Sequence, residues 1–142
     1  MWDTALGEKR AELRRGKDAA SINSLMFSLD SRWLCVSSDR GTVHIFDLDA
    51  PPPETPSGFF QYIGSTGVLG TGVSDYSMAR FSKAQIHLTS PACACAFGRT
   101  PGRIFVADAE GVYGIYAFDM DKGGEARVLQ RFVFGAVTKD QT

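Results

Sequence analysis

The feature that most constrains the fold is an internal repeat in which matching residues lie 70 positions apart. Blades of β-propellers usually repeat at roughly 40–45 residues. The excess falls within residues 50–76, which contain four prolines and five glycines and show no strand pattern. Treating this segment as a long inserted loop restores a blade-like period. The matching pairs are Phe27-Ser28 with Phe97-Gly98, Gly41 with Gly111, Ile45 with Ile115, and Phe46 with Tyr116.

Short apolar or alternating segments fill most of the remaining sequence, which is the pattern of β-strands rather than helices. In the turn at 38–41, Gly41 is suited to a positive φ. Residues 6–15 could also form a short charged helix between Gly7 and Gly16. The predicted strands are 22–27, 33–37, 42–46, 92–97, 103–107, 112–118 and 127–134, with turns at 29–31, 38–41, 108–111 and 121–124.

The repeat predicts two near-complete four-stranded blades and the tail of a third. Residues 1–16 would end one blade, 17–90 would form a blade with the inserted loop at 50–76, and 91–142 would form the last blade. A closed propeller needs at least about four blades, so these pieces cannot close a ring alone. We infer either a truncated product or a fragment of a longer protein. The alternative is a small β-sandwich of about eight strands.

The composition is that of a globular chain, with 44% hydrophobic and 22% charged residues. A net charge of −1 argues against bulk nucleic-acid binding, which usually requires a basic domain. The N-terminal residues lack the apolar core of a secretory signal, and no apolar run approaches the length of a membrane span. Three cysteines form no obvious disulfide framework. We therefore expect a reducing, cytosolic setting in which any membrane contact is peripheral.

Residues typical of catalysis or metal binding are not arranged for either task. Cys93 and Cys95 would face the same way on a strand, but zinc needs further ligands and only His44 and His87 are available. No nucleophile elbow, phosphate loop or His-Glu metal motif occurs. We expect a protein that is not an enzyme and that needs no metal and no cofactor, with its cysteines as small residues of a blade core.

Two pairs of polar residues have spacings suited to phosphate recognition. Successive strand residues point to opposite faces, so the adjacent Arg14 and Arg15 would serve two separate pockets if they lie on a strand or at its end. Thr42 and His44 are two residues apart and would share one face. Arginine can donate two parallel hydrogen bonds to a phosphate and stays charged at cellular pH. The simpler alternative is a solvated arginine pair and a histidine packed inside a blade.

Several segments together resemble the PROPPIN family, the phosphoinositide-binding propellers that are also called WIPI proteins. The resemblance covers most of the chain apart from the loop and matches the C-terminal part of a seven-bladed member. It implies an all-β fold, a partial seven-bladed β-propeller of about two blades plus the outer strand of a third. The segments that carry it are Leu13-Arg14-Arg15-Gly16, residues 24–31, residues 35–46 and Cys95-Ala96-Phe97-Gly98.

The resemblance also implies a function and its residues. It places Arg15, Thr42 and His44 in one phosphoinositide site, with Ser38 or Arg40 nearby. It places Arg14 in another site, whose remaining ligands belong to the preceding, fifth blade. The implied ligands are phosphatidylinositol 3-phosphate and phosphatidylinositol 3,5-bisphosphate.

The implied setting is autophagosome formation. The protein would be cytoplasmic and recruited peripherally to phagophore (preautophagosomal), endosomal or vacuolar membranes. Its partners would be the phosphoinositide-bearing membrane and autophagy proteins, and not nucleic acid.

The inserted loop carries aromatic residues among glycines and serines. Similar loops in the family look like membrane-inserting elements, so the resemblance implies that Phe59, Phe60 and Tyr62 contact the bilayer. Arg80 and Lys83, which follow the loop, would add attraction to anionic lipid. The alternative is a flexible loop whose apolar residues fold back on the propeller.

A second function stays open, because propellers commonly present rims and faces to peptides and a fold does not fix a function. The chain would then be a WD-repeat scaffold for protein–protein interaction without lipid binding. The arginine pair discriminates between the two functions, since a pure scaffold should survive its loss.

Overall fold

The computed structural model describes residues 1–16, 18–51 and 79–134, and no helix able to cross a membrane occurs among them. The chain divides into two units, which are described separately: Met1–Gly16 with Ala50–Phe81, and Lys17–Asp49 with Ser82–Thr142. Most of the predicted loop lies outside the described residues. The strands are β1 (Trp2–Asp3), β2 (Glu8–Lys9), β3 (Glu12–Arg14), β4 (Ile22–Phe27), β5 (Trp33–Ser38), β6 (Thr42–Asp47), β7 (Ala79–Phe81), β8 (Ala84–His87), β9 (Cys93–Phe97), β10 (Arg103–Asp108), β11 (Val112–Ala117), β12 (Gly124–Glu125) and β13 (Arg127–Val133).

In the first unit, β1 and β2 form an antiparallel hairpin, and β3 pairs in parallel with β7. The carboxylate of Asp3 holds the hairpin turn by accepting hydrogen bonds from the backbone N–H groups of Ala5 and Leu6 at 2.9 and 3.1 Å. The Arg10 guanidinium donates to the same carboxylate at 2.7 Å and contributes most to lowering the pKa of Asp3. A helix over residues 6–15 is therefore wrong, because these backbone groups pair across strands and within a turn.

The second unit contains two sheets whose longer strands are antiparallel. The first sheet has the strand order β4-β5-β6-β8-β12, and the second has the order β9-β10-β11-β13. The seven predicted strands coincide with β4, β5, β6, β9, β10, β11 and β13 to within one residue at each end. Gly41 has a φ of 70°, which confirms the positive φ predicted for the β5–β6 turn. The short strands β8 and β12 are not predicted by the pattern.

An apolar core lies between the facing sides of the two sheets. Alternate residues of β5 and β6 point into it, and the most deeply buried are inaccessible to solvent. Burying one large aliphatic side chain contributes about 1.5–3 kcal/mol, so this core is a main source of stability for the unit. The core residues on the strands are Trp33, Cys35, Val43, Ile45, Ala84 and Ile86 from the first sheet, and Cys93, Cys95, Ile104 and Val106 from the second.

Two serines join the inner strands of the sheets through what we call the serine seam: Ser24, Ser37 and the backbone of Cys93 and Cys95. The Ser37 hydroxyl donates to the Cys93 carbonyl oxygen at 2.7 Å, and the Cys95 N–H donates to Ser24 Oγ at 2.9 Å. The two Oγ atoms are 2.9 Å apart. A hydroxyl has one hydrogen, so Ser24 must donate to Ser37. This relay starts and ends on β9 and fixes the spacing of the two sheets.

Three free cysteines lie buried next to the seam. Contact with Cys95 and burial raise the pKa of Cys35, and burial raises the pKa of Cys93. Within the described ranges no group of three or more His, Cys, Asp or Glu side chains could hold a metal ion. The three thiols are part of the apolar core between the two sheets.

A two-residue strand returns from the second sheet to the outer edge of the first. β12 precedes β13 in the chain but pairs in parallel with β8. The Gly124 N–H donates to the Lys83 carbonyl oxygen at 2.9 Å, and the Ala126 N–H donates to the Gln85 carbonyl oxygen at 2.8 Å. Gly123 has a φ of 72°, and a Cβ there would clash with the Lys83 carbonyl oxygen. The attachment of β12 thus depends on a glycine at position 123.

We expect Gly123→Ala to lower the free energy of unfolding more than Gly124→Ala does. Both glycines have a positive φ, 72° and 88°, so alanine at either position costs about 1–2 kcal/mol of backbone strain. Only at position 123 does the new methyl group also meet a backbone atom, whereas nothing lies within 4 Å at position 124. Overpacking of this kind costs a further ~1–3 kcal/mol. Urea unfolding measures both variants, and equal losses would contradict a tight β12–β8 contact.

Candidate functional site

One face of the first sheet carries three of the polar residues that the sequence singles out. Thr42 and His44 alternate with the core residues Val43 and Ile45 on β6, so they share the face that points away from the core. The β5–β6 register pairs Val36 with His44, and its continuation sets Ser38 opposite Thr42. We call these polar side chains the polar face: Ser38, Thr42, His44, Gln85 and His87. The same side of the sheet also carries the buried apolar residues Leu34, Val36 and Phe46.

The outer strand β8 adds a histidine beside Thr42. His87 is the register partner of Thr42, and the Thr42 hydroxyl lies 3.4 Å from His87 Nδ1. The Glu125 carboxylate lies 3.3 Å from His87 Nε2 and accepts the His87 backbone N–H at 3.3 Å. When His87 is protonated it adds positive charge to this end of the polar face, where Glu125 competes with any other anion. The alternation of Gln85 and His87 with apolar neighbours is the sequence signal for this strand.

His44 is buried and held in a fixed orientation. It is 5% exposed, and its Nδ1 lies 3.0 Å from Ser82 Oγ. Gln85 Nε2 donates to the same hydroxyl oxygen at 3.3 Å. The ring of Phe46 lies with its centroid 6.4 Å from that of His44. The imidazole is therefore preoriented by its neighbours rather than free to rotate in solvent.

The Ser38 hydroxyl is buried and has no hydrogen-bond partner among the described residues. Leaving a buried hydroxyl unsatisfied costs about 1–3 kcal/mol. Such groups are rare in native proteins. The neighbouring Ser37 differs, since its hydroxyl donates to the Cys93 carbonyl oxygen.

Arg40 lies in the β5–β6 turn with its side chain on the exposed surface. Its Nη2 and Nε atoms donate to the Ala19 carbonyl oxygen at 2.9 and 3.3 Å. The Asp39 N–H donates to the Ser21 carbonyl oxygen at 3.0 Å. These bonds fasten the turn to the segment before β4. A guanidinium has five N–H donors, so Arg40 can hold this segment and still contact an anion.

Arg14 ends β3 in the first unit and already contacts a carboxylate. Its Nε and Nη2 atoms lie 2.8 and 2.5 Å from Glu12 Oε1, because residues two apart on a strand share a face. Lys9 Nζ lies 2.8 Å from the other oxygen of Glu12. Lys9, and then Arg14, hold the pKa of Glu12 below its usual value. A phosphate that binds Arg14 must therefore compete with an ionised carboxylate, a feature that the arginine motif alone does not reveal.

Arg15 follows β3 directly, in a bend, and is half-buried. Both arginines belong to the first unit, whereas Ser38, Arg40, Thr42 and His44 belong to the second. The pocket that Arg15 would share with Thr42 and His44 therefore stays a prediction, as do the opposite directions of the two guanidinium groups. The predicted membrane-contact residues Phe59, Phe60 and Tyr62 lie outside the described residues.

The sequence matches a family model and curated proteins. The PROPPIN family model matches residues 1–134. The chain is 36% identical over 138 residues to "WD repeat domain phosphoinositide-interacting protein 2" of Xenopus laevis, with 88% of this chain and 32% of the relative covered. It is 33% identical over 144 residues to "Autophagy-related protein 18" of Dictyostelium discoideum, with 87% and 38% covered. The chain thus spans about a third of the length of these relatives.

The fold is also that of a solved structure, "Kluyveromyces lactis Hsv2 complete loop 6CD". The two chains match with a TM-score of 0.65 at 18% identity, and the match covers 94% of this chain and 41% of the other. Together with the family match, this likeness confirms the predicted all-β partial propeller. The alternative of a small β-sandwich is not needed.

We expect two adjacent serines to respond oppositely to alanine substitution. Ser38→Ala removes a buried hydroxyl that has no partner in the described part of the chain, so the free energy of unfolding should stay unchanged or rise by up to about 1 kcal/mol. Ser37→Ala breaks the serine seam and leaves the Cys93 carbonyl oxygen unpaired, which should cost about 1–3 kcal/mol. Thermal and urea unfolding of the two variants measure the difference. A large loss for Ser38→Ala would show that its hydroxyl has a structural partner.

Proposed function

Because the chain belongs to the PROPPIN family, we propose that it is a phosphoinositide-binding propeller, and not an enzyme, that acts in autophagosome formation. It recognises phosphatidylinositol 3-phosphate and phosphatidylinositol 3,5-bisphosphate on membranes. Relatives named as phosphoinositide-interacting and autophagy-related support this proposal. The observation that carries it is the polar face, where Ser38, Thr42 and His44 lie on one side of the sheet.

The donors of the polar face suit a phosphate on an inositol ring. Ser38 brings a buried hydroxyl without a partner among the described residues, Thr42 a second hydroxyl, and His44 an imidazole in a fixed orientation. Hydrogen bonds to a charged group contribute about 1.5–3 kcal/mol each. Arg15 supplies the positive charge and the planar donor pair that these neutral groups lack. The composite site binds the headgroup through several contacts, none of which suffices alone.

Arg14 belongs to a second site in this proposal. Its guanidinium contacts the Glu12 carboxylate. The net free energy of binding a phosphate at Arg14 is therefore the difference between the charge-assisted Arg14–phosphate and Arg14–Glu12 interactions. This site is weaker than the site of Arg15 unless further residues from the preceding blade contribute. Two such sites on one membrane gain from a high effective concentration.

The protein acts as a peripheral membrane protein in this proposal. It moves from the cytoplasm to phagophore, endosomal or vacuolar membranes that carry its lipid. There it presents the remaining propeller surface to autophagy proteins. The headgroup contacts determine the membrane, and the aromatic residues Phe59, Phe60 and Tyr62 strengthen the attachment.

We expect the double variant Arg14→Ala/Arg15→Ala to lose flotation with vesicles that contain either phosphoinositide. Losing one charge-assisted contact of about 1.5–3 kcal/mol weakens each site about tenfold to a hundredfold. The matched control is Lys122→Ala/Arg127→Ala, which removes two exposed basic side chains of the second unit and the same net charge. This control should float like the wild type.

Equal flotation of the arginine variant and the wild type would contradict lipid recognition and favour the protein-interaction scaffold. Rising salt should weaken binding of the wild type, because the Debye length falls from about 10 Å at 0.1 M to about 3 Å at 1 M. Vesicles without phosphoinositide give the baseline in each case.

We expect Phe59→Ser/Phe60→Ser/Tyr62→Ser to weaken vesicle binding without changing affinity for a soluble inositol phosphate headgroup. Burying one aromatic side chain in the bilayer contributes about 1.5–3 kcal/mol. Trp2→Ser serves as the control, since Trp2 is an exposed aromatic residue outside the loop. Unchanged vesicle binding of the triple variant would mean that the loop aromatics do not enter the membrane.

A further inference from the structure

An apolar pocket opens between matching turns of the two sheets, away from the polar face. It lies between the β4–β5 turn, Ser28 to Asp30, and the β9–β10 turn, Gly98 to Gly102. Both turns follow the repeated segments at positions 27–28 and 97–98, so the pocket is formed by equivalent corners of neighbouring repeats. Its volume is about 150 Å³.

Three aromatic side chains form the walls of this pocket. Trp33 and Phe118 are 4% and 7% exposed and meet edge to face, with ring centroids 5.0 Å apart. Phe97 meets Phe118 in the same manner, at 6.5 Å. The Trp33 backbone N–H donates to Ser28 Oγ at 2.9 Å, which fastens the turn to the wall. The pocket is therefore preformed by core residues rather than opened by a mobile loop.

The rim of the pocket carries apolar side chains that stay in solvent. Leu29 is 85% exposed and Met120 is 37% exposed, and both line the opening. Methionine adapts its shape readily and is favoured at surfaces that accept varied partners. Exposed apolar groups next to a preformed apolar pocket are typical of an interaction site.

The charged side chains around the opening favour a ligand that carries an acidic residue next to the apolar group in the pocket. Asp30 is engaged by the Ser28 hydroxyl and by the Arg32 backbone N–H. The Arg32 side chain is paired with Asp47 at 3.2 Å and lies over the Trp33 ring. Arg99, by contrast, is an exposed lining residue without an ion pair in the described part of the chain. The cation left for a partner is thus Arg99.

From these observations we infer that the pocket binds a linear peptide of a partner protein through one large apolar side chain with an acidic residue close beside it. An apolar cavity of about 150 Å³ accommodates a group the size of benzene, so the pocket accepts one aromatic or leucine-sized side chain. Arg99 pairs with the acidic residue, and Leu29 and Met120 close over the apolar one. Binding through a single anchor is weak and gains from a second contact, such as shared attachment to one membrane.

Selection of short random peptides on phage against the full chain tests this inference. We expect the enriched peptides to share a large apolar residue within a few positions of Asp or Glu. A synthetic peptide of the most enriched sequence should bind Arg99→Glu at least about tenfold more weakly, which corresponds to one charge-assisted contact. Leu29→Ser should weaken the same peptide, whereas Arg127→Glu, an exposed charge reversal on β13, should not. All three variants change exposed side chains, and equal melting temperatures exclude unfolding as the cause.

Four outcomes would overturn the inference. The first is no enrichment over phage without peptide, and the second is enriched peptides whose binding ignores both Arg99→Glu and Leu29→Ser. The third is concentration-dependent self-association that Leu29→Ser abolishes, which assigns the pocket to a second copy of the chain. The fourth is a loss of phosphoinositide-vesicle flotation by Arg99→Glu with peptide binding unchanged, which assigns the pocket to lipid.

Discussion

The hydrogen-bonded contact between the inner strands is the constraint on which the second unit depends. In the serine seam, two hydroxyls connect the Cys95 N–H to the Cys93 carbonyl oxygen, so β4 and β5 can lie at only one distance and register from β9. The cysteine side chains beside the seam are small, which allows β4 and β5 to lie this close to β9. Because the seam fixes the core-facing side of β5 and β6, it also fixes which residues face the other way. The polar face is thus a consequence of how the core is closed.

Much of this architecture follows from sequence alternation, and the exceptions have physical reasons. The strands of the repeat are long enough for alternation to mark both ends, and Thr42 and His44 share a face because they are two apart. The strand β8 has only four residues and follows the loop, so the alternation of Gln85 and His87 with apolar neighbours is too short to predict a strand by itself. The strand β12 contains a glycine and pairs far away in sequence, which no local signal predicts. The contact of Arg14 with Glu12 follows from strand spacing, because residues two apart on a strand share a face.

Two basic side chains near the proposed sites, Arg14 and His87, have an acidic partner. Glu12 engages Arg14, and Glu125 lies beside His87. An anion that makes only one contact, at one of these basic side chains, gains little binding free energy because it only replaces the carboxylate that is already there. A ligand that also fills neutral donors, such as the Ser38 hydroxyl, gains contacts that no carboxylate in the described residues makes. If the chain binds phosphoinositides as proposed, this favours a phosphorylated ring with several groups over simple anions.

The return of β12 to the first sheet has a consequence for the solubility of the molecule. An outer strand such as β8 presents unpaired backbone groups that can template pairing with another molecule. The backbone N–H groups of Gly124 and Ala126 donate hydrogen bonds to carbonyl groups along this edge, so part of the edge is paired with the chain's own backbone. The same two residues tie the second sheet to the first, so exposing the edge also requires loosening one sheet from the other. The glycine-dependent pairing of β12 with β8 therefore protects this edge against fibril-like association. The same pairing also holds the two sheets together.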